Sequence, residues 1–192
     1  YRRVIIESLI TSFGLNFIMG DQHGGDVDTI HNVRKIGSDD QMYYKNPQNQ
    51  INYENRGEYN SKIYHSDQRY IDKNRSIKEQ KIQGKLYDAY TGEKFAPNQK
   101  TDLDHVISAK EIHDDRGRVL AGISGNDLAN AEYNLKPTNP HTNRSKKADS
   151  MQSYLNKSGN EYSTAQKERM TDIDAQAREK YNTTLSQKYY TS

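Results

Sequence analysis

Apolar residues are sparse along this chain, and their spacing changes from one segment to the next. Near the start, Val4, Ile5, Leu9 and Ile10 fall close to helical spacing. Residues 1–36 therefore read as one folded element, punctuated by Gly14 and Gly20, with "DQHGGDVD" as a loop. Residues 37–64 are polar and turn-rich, which predicts extended surface structure or partial disorder. A helix is predicted over 66–84, with Tyr70, Ile71, Ile77 and Ile82 as its thin apolar face. "KLYDAYTGEKF" predicts a hairpin turning near Thr91 and Gly92. In "TDLDHVIS", Leu103, Val106 and Ile107 call for a buried strand. That strand nevertheless carries Asp104 and His105, two groups that are costly to bury. Ser108 is placed to cap a short helix over "AKEIHD", and Ser124 with Asp127 resembles a capping box for "NDLAN". "EYNLKP" predicts a second strand, and from about Pro140 a helix carries Asn143, Lys146 and Lys147. From about Thr164, Met170, Ile173, Ala177, Tyr181, Leu185 and Tyr189 recur in steps of three and four. They form one narrow stripe on a long helix, which reads as a packing element. No internal repeat is present.

The 192 residues suffice for one ordinary domain, or one small domain with extensions. Only 32% are hydrophobic against 28% charged, which predicts a small core, long exposed helices and irregular polar stretches. The fold class expected is α+β and mainly helical, in three regions: 1–84, 85–156 and 157–192. With 15 Tyr against 3 Phe and no Trp, tyrosine must do core work while keeping its hydroxyl hydrogen-bonded. The absence of Cys excludes disulfides, thiolate zinc sites and cysteine nucleophiles, and is compatible with a cytoplasmic location. A net charge of +2 means that any nucleic-acid surface must be local. No apolar run is long enough to span a membrane. The most apolar stretch, "VIIESLITSFGLNFIM", is interrupted by Glu7, Ser8, Thr11, Ser12 and Asn16. No short-residue cleavage pattern follows it, so it reads as buried helix and strand in preference to a signal peptide. The chain begins at Tyr1, not Met, and so reads as a candidate fragment of a longer one.

Asp and His side by side on a strand, leading toward a helix that bears Asn, suit metal-assisted phosphodiester hydrolysis. Mg²⁺ takes oxygen ligands and keeps several waters, so one carboxylate and one amide oxygen leave room for a phosphate. The cation polarises the phosphate and stabilises the leaving oxygen. An imidazole with an ordinary pKa of about 6.5 can take a proton from water near neutral pH. Asp104 as ligand, Asn143 as second ligand and His105 as general base meet these needs. Asp21, His23, Asp26 and Asp28 could also hold a metal, although loops are rich in such residues anyway.

The segments "DLDHVIS" and "NLKPTNPHTNRSKK" together resemble the HNH nuclease family, the ββα-metal fold. The family's second segment usually runs Asn-Leu-x-Pro-Leu-Cys-x-x-Cys-His-x-x-Lys. Aligned on Asn134, Leu135 and Pro137, its last histidine falls on Asn143 and its lysine on Lys146. The HNH domains of CRISPR effector nucleases and some phage junction-resolving endonucleases carry Asp-His followed by Asn. The spacing from Asn134 to Asn143 to Lys146 also matches the CRISPR type. The resemblance covers roughly Leu86 to Lys147, about a third of the chain.

This resemblance implies an HNH nuclease module at 85–156, with helical and irregular extensions on both sides. It implies Asp104 and Asn143 as Mg²⁺ ligands, with Mn²⁺ also able to support activity, and His105 as the base. Asn134 would hold the connecting loop by hydrogen bonds and so orient His105, and Lys146 would contact a phosphate. Arg144 and Lys147 would steer DNA, or be merely solvated. Strand alternation puts Asp102 on the face of Asp104, as a supporting or purely structural acid. His141 would touch a phosphate or the metal's outer shell, or be a solvated cap; His113 lies nearby in sequence. Many family members staple this fold with zinc on two Cys pairs. The comparable positions here are Tyr87 to Tyr90 and then Asn139 and Thr142, so no structural zinc is expected, with Tyr87, Tyr90 and Phe95 packing in its place. The implied activity is a metal-dependent endonuclease cutting DNA with weak sequence preference, as in a toxin, phage-defence or mobile-element nuclease. An immunity or sensor protein and a second copy of the chain are its further candidate partners. The alternative is an inactive HNH scaffold that binds DNA or another protein.

Overall fold

The computed structural model describes residues 47–191. The element read over 1–36, the loop acids Asp21, His23, Asp26 and Asp28, and the side chain of Tyr189 lie outside the described residues. The described part is mixed: many helices and a small two-stranded antiparallel sheet. In chain order the elements are α1 (Pro47–Glu54), α2 (Ser61–His65), α3 (Gln68–Ile82), β1 (Asp102–His105), α4 (Ala109–His113), α5 (Arg116–Leu120), α6 (Gly125–Ala129), β2 (Leu135–Thr138), α7 (Pro140–Lys146), α8 (Met151–Lys157) and α9 (Thr164–Thr191). No helix among the described residues is long and apolar enough to cross a membrane.

Three local expectations are corrected. The polar run at 47–65 holds two helices, α1 and α2. A cap on α2 and one anchored tyrosine per helix supply what periodicity lacks: Asn60 accepts from the Lys62 amide, and Tyr53 and Tyr64 are buried. Of the face expected on α3, only Ile77 is deeply buried and Tyr70 half-buried, whereas Ile71 and Ile82 face solvent. The start of "EYNLKP" is a 3₁₀ turn, Glu132–Asn134, and the strand begins only at Leu135.

The described residues divide into two compact units, one of 47–59, 111–125 and 178–191, the other of 60–110 and 126–177. In the first, Tyr53 packs against Val119 and Leu120, and its hydroxyl donates to the Asp114 carbonyl at 2.7 Å. Asp115 caps α5 by accepting from the Gly117 and Arg118 amides, and accepts from the Tyr181 hydroxyl at 2.6 Å. The buried Arg118 guanidinium donates to the carbonyls of Ile112, His113 and Ile123 at 2.7–2.9 Å. His113 is occupied here too, with its Nε2 on the Gly57 carbonyl at 2.9 Å.

The second unit holds the sheet. Its register pairs Asp102 with Thr138, Leu103 with Pro137, Asp104 with Lys136 and His105 with Leu135. Alternation therefore puts Leu103, His105 and Leu135 on one face and Asp102, Asp104 and Thr138 on the other. The apolar face packs Leu103 and Leu135 with Ile77 of α3 and with Leu86 and Phe95. The last two come from a hairpin closed by the Tyr87–Lys94 bridge and turned at Gly92, whose φ is 77°. A side chain at Gly92 would collide with Arg169 of α9.

One carboxylate joins this hairpin to the sheet. Asp88 Oδ1 accepts from the Tyr90 amide at 2.9 Å, the Thr91 amide at 3.1 Å and the Thr138 hydroxyl at 2.8 Å. Its Oδ2 accepts from the backbone and side-chain N–H groups of Asn139 at 2.9 and 2.8 Å. Asn139 in turn caps α7, accepting from the Thr142 amide at 2.8 Å. The Thr142 hydroxyl meets that of Tyr162, which meets that of Tyr154. Of the positions comparable to two thiolate pairs, Tyr90, Asn139 and Thr142 are thus joined by hydrogen bonds through Asp88. Tyr90 and Phe95 are buried as expected, but Tyr87 is 56% exposed and packs nothing shut.

Two predictions follow from these networks. Asp88→Ala strands several buried donors at once and should lower unfolding stability by about 3 kcal/mol or more in urea titration; a loss under about 1 kcal/mol would show the network to be replaceable. Burial raises the Asp115 pKa to about 6, against the opposing hydrogen bonds from Tyr181 and the α5 amides. The folded protein therefore holds this proton more tightly than the unfolded chain, so the contribution of Asp115 to stability grows as pH falls through about 6 toward its unfolded value of 3.8. Asp115→Asn should remove that slope from a plot of melting temperature against pH, and an unchanged slope would refute the assignment.

Candidate active site

Helix α7 starts where chain chemistry says it should: Asn139 caps it, and Pro140 occupies its first turn, where a missing N–H costs nothing. It ends at Lys147, which leaves the helix at φ 51°. Between these ends α7 lies along β1, and residues three apart on the helix meet residues two apart on the strand. Asn143 Nδ2 donates to Asp102 Oδ2 at 3.0 Å, and Arg144 Nε donates to the same oxygen at 3.2 Å. One turn on, Lys146 Nζ lies 3.2 Å from Asp104 Oδ2 and donates to the His105 carbonyl at 3.2 Å. Asp102, Asp104, Asn143 and Lys146 therefore form one polar patch.

The two acids in that patch differ. Asp104 is 5% exposed and accepts from the Tyr90 hydroxyl at 2.6 Å as well as from Lys146. Burial pushes its pKa up, while Lys146 and then Tyr90 pull it back down. Burial also raises the Tyr90 hydroxyl well above its ordinary range, so it stays a donor. The Asp102 side chain is 20% exposed and bears on the half-buried Asn143 and the exposed Arg144.

His105 does not join them on that face. Its ring lies on the α3 side of the sheet, stacked on Tyr70 at 5.4 Å and parallel to His65 at 5.7 Å. His65 and Tyr70 stack on each other at 4.7 Å, and the Tyr70 hydroxyl donates to the Leu103 carbonyl at 3.2 Å. His105 Nε2 lies 2.8 Å from Asn130 Oδ1. Burial lowers the His105 pKa to about 4, with the Asn130 contact opposing, so the ring is neutral near pH 7. Asn134 grips the loop that follows β1: its Oδ1 accepts from the Ile107 amide at 2.8 Å, and its Nδ2 donates to the carbonyls of Ile107 and Ala129 at 3.0 and 2.9 Å.

Lys146 departs from its expected place. It is fully buried between Asp104 and the His105 carbonyl and presents no ammonium to a phosphate. Arg144 and Lys147 are exposed, and exposed His141 pairs with Glu161. Four residues escaped sequence reading as parts of this site: Tyr90 as a partner of Asp104, and Asn130, His65 and Tyr70 as partners of His105. Asn130 lies four residues before Asn134 in "NDLANAEYN", but only the fold shows that both serve the β1 end.

Comparison with family models, with curated proteins and with solved structures finds no match. Among the described residues no group of three or more His, Asp or Glu could hold a metal. The carboxylates of Asp102 and Asp104 and the Asn143 amide are hard oxygen donors of the type Mg²⁺ takes. In donor chemistry they fit such a cation, with Lys146 as its competitor at Asp104.

The buried pair sets a stability test. Lys146→Met leaves the Asp104 carboxylate buried without its cation and should cost about 3–5 kcal/mol. Arg144→Ala and Lys147→Ala, on exposed side chains, should stay within about 0.5 kcal/mol in the same denaturation assay. Similar losses for all three would contradict the burial of Lys146.

Proposed function

We propose that this chain is a divalent-metal-dependent endonuclease of HNH type that hydrolyses phosphodiester bonds in DNA. The observation that carries the reading is the patch in which Asp102 and Asp104 of β1 meet Asn143 and Lys146 of α7. The two strands and following helix agree with the ββα order implied by the sequence resemblance. Asp102, Asp104 and Asn143 are the oxygens that would hold Mg²⁺ or Mn²⁺. A cation there supplies charge to polarise a phosphate and stabilise the leaving oxygen. His105, neutral in this setting, accepts the proton of the attacking water. Asn134 keeps the loop after β1 in one conformation and so fixes where His105 sits. Arg144 and Lys147 add an exposed positive edge for the DNA backbone, and Lys146 serves as the cation that opposes the cost of burying Asp104.

A second reading is favoured by two specific features. Asp104 already has a buried ammonium, and His105 lies across the sheet from it. An HNH scaffold that binds DNA or another protein without cutting would look the same.

Supercoiled plasmid separates the readings. Nicked product with Mg²⁺ or Mn²⁺, abolished by EDTA, is the expected result; intact plasmid with every metal leaves the inactive scaffold. His105→Ala should still bind metal and DNA, with nicking reduced roughly 10²–10⁴-fold, the usual worth of a positioned general base. Asn143→Ala should lose metal affinity together with turnover, because it removes a ligand oxygen. Near-full nicking by His105→Ala would make His105 structural.

A further inference from the structure

We infer that Asn130 is the positioning residue of His105, holding its imidazole as the Nε2–H tautomer so that Nδ1 is the nitrogen left to accept a proton. Asn130 is 2% exposed, and its orientation is settled by its other partner. Its side-chain atom 3.1 Å from the Tyr64 carbonyl must be the N–H₂ group, because a carbonyl oxygen can only accept. The same nitrogen donates to Asn126 Oδ1 at 3.2 Å. Oδ1 is therefore the atom that faces His105 Nε2 at 2.8 Å, and it can only accept. A ring nitrogen that faces it must carry hydrogen, since a lone pair there would meet another lone pair in a dehydrated pocket.

The plane of the ring is held by its neighbours. Tyr70 and His65 cover it by stacking, and the Tyr70 hydroxyl is pinned to the Leu103 carbonyl. Nδ1 has no hydrogen-bond partner among the described residues. A neutral imidazole protonated at Nε2 keeps its lone pair on Nδ1. Asn130 thus fixes by hydrogen bonding what ring rotation and tautomer exchange would otherwise scramble.

What Nδ1 accepts a proton from rests on the nuclease reading; the tautomer does not, and the test separates the two. Nitrogen NMR of ¹⁵N-histidine-labelled full-length protein near pH 7 distinguishes protonated from unprotonated ring nitrogens. In the wild type, His105 Nε2 should be protonated and Nδ1 not. Asn130→Ala should give a mixture of tautomers, with nicking kcat reduced roughly 10–100-fold and the KM for plasmid little changed. Asn130→Asp, which keeps an acceptor oxygen, should restore protonation at Nε2. Protonation at Nδ1 alone in the wild type overturns the inference whatever the variants do, including any variant that does not fold. So does an Asn130→Ala protein with an unchanged tautomer. A wild type with the expected tautomer but no plasmid cleavage counts for the positioning role of Asn130 and against the nuclease reading.

Discussion

The site-bearing unit is organised around the Asp88 carboxylate. A buried carboxylate is tolerable only when its oxygens are met by donors, and Asp88 meets five, drawn from the hairpin turn, β2 and the start of α7. It sits where chain crossings would otherwise leave backbone amides dry and unpaired. By fixing Asn139 it fixes the cap of α7, and through the cap the angle at which Asn143 and Lys146 reach β1. The Leu86 and Phe95 core is small, so placement of the site rests on this carboxylate as much as on apolar packing.

The same logic governs Asp104. Its partners Tyr90 and Lys146 are themselves buried, and the three groups form a closed set with little access to water. Such a set stabilises little compared with apolar residues of equal volume, but breaking it is costly, so it specifies arrangement more than it adds stability. Tyr90 belongs to both devices: its amide meets Asp88 and its hydroxyl meets Asp104. The hairpin that positions the helix therefore also holds the strand acid that the helix reaches.

What the sequence made legible follows from how local each cause is. The strand at Leu103 and the helix at Pro140 carry their signals within a few residues, and both form. The stripe on α9 was readable because Met170, Ala177, Tyr181 and Leu185 are buried at helical spacing. Helix α1 was not, because "PQNQINYE" buries only Tyr53 and its partners come from residues far along the chain. Within the site, Asn134 grips the loop after β1, accepting from the Ile107 amide. The burial of Lys146 was illegible: a lysine at a helix end looks the same whether it meets solvent, phosphate or a carboxylate. Sequence also treats Asp104 and His105 as a pair, while strand alternation sends them to opposite faces. Asn130 and His65 become visible only when the loop and α2 are brought to the β1 end.

Charge balance in the patch bears on how phosphate could be received. Asp102 and Asp104 are offset by Arg144 and Lys146, so the bare patch is close to neutral and has little attraction for a polyanion. Of the two cations only Arg144 is exposed, and it is turned onto Asp102. The Lys146 ammonium is instead committed to a buried carboxylate, where it opposes the upward pull of burial. A divalent cation would reverse this balance, adding positive charge next to oxygens already held in place. Asp102 is the less committed of the two acids, being partly exposed and held by an amide and a solvated guanidinium. It can meet an incoming ion without uncovering a buried charge, whereas Asp104 can do so only if Lys146 yields. If the proposed metal binds, Asp102 is therefore the acid through which it would enter.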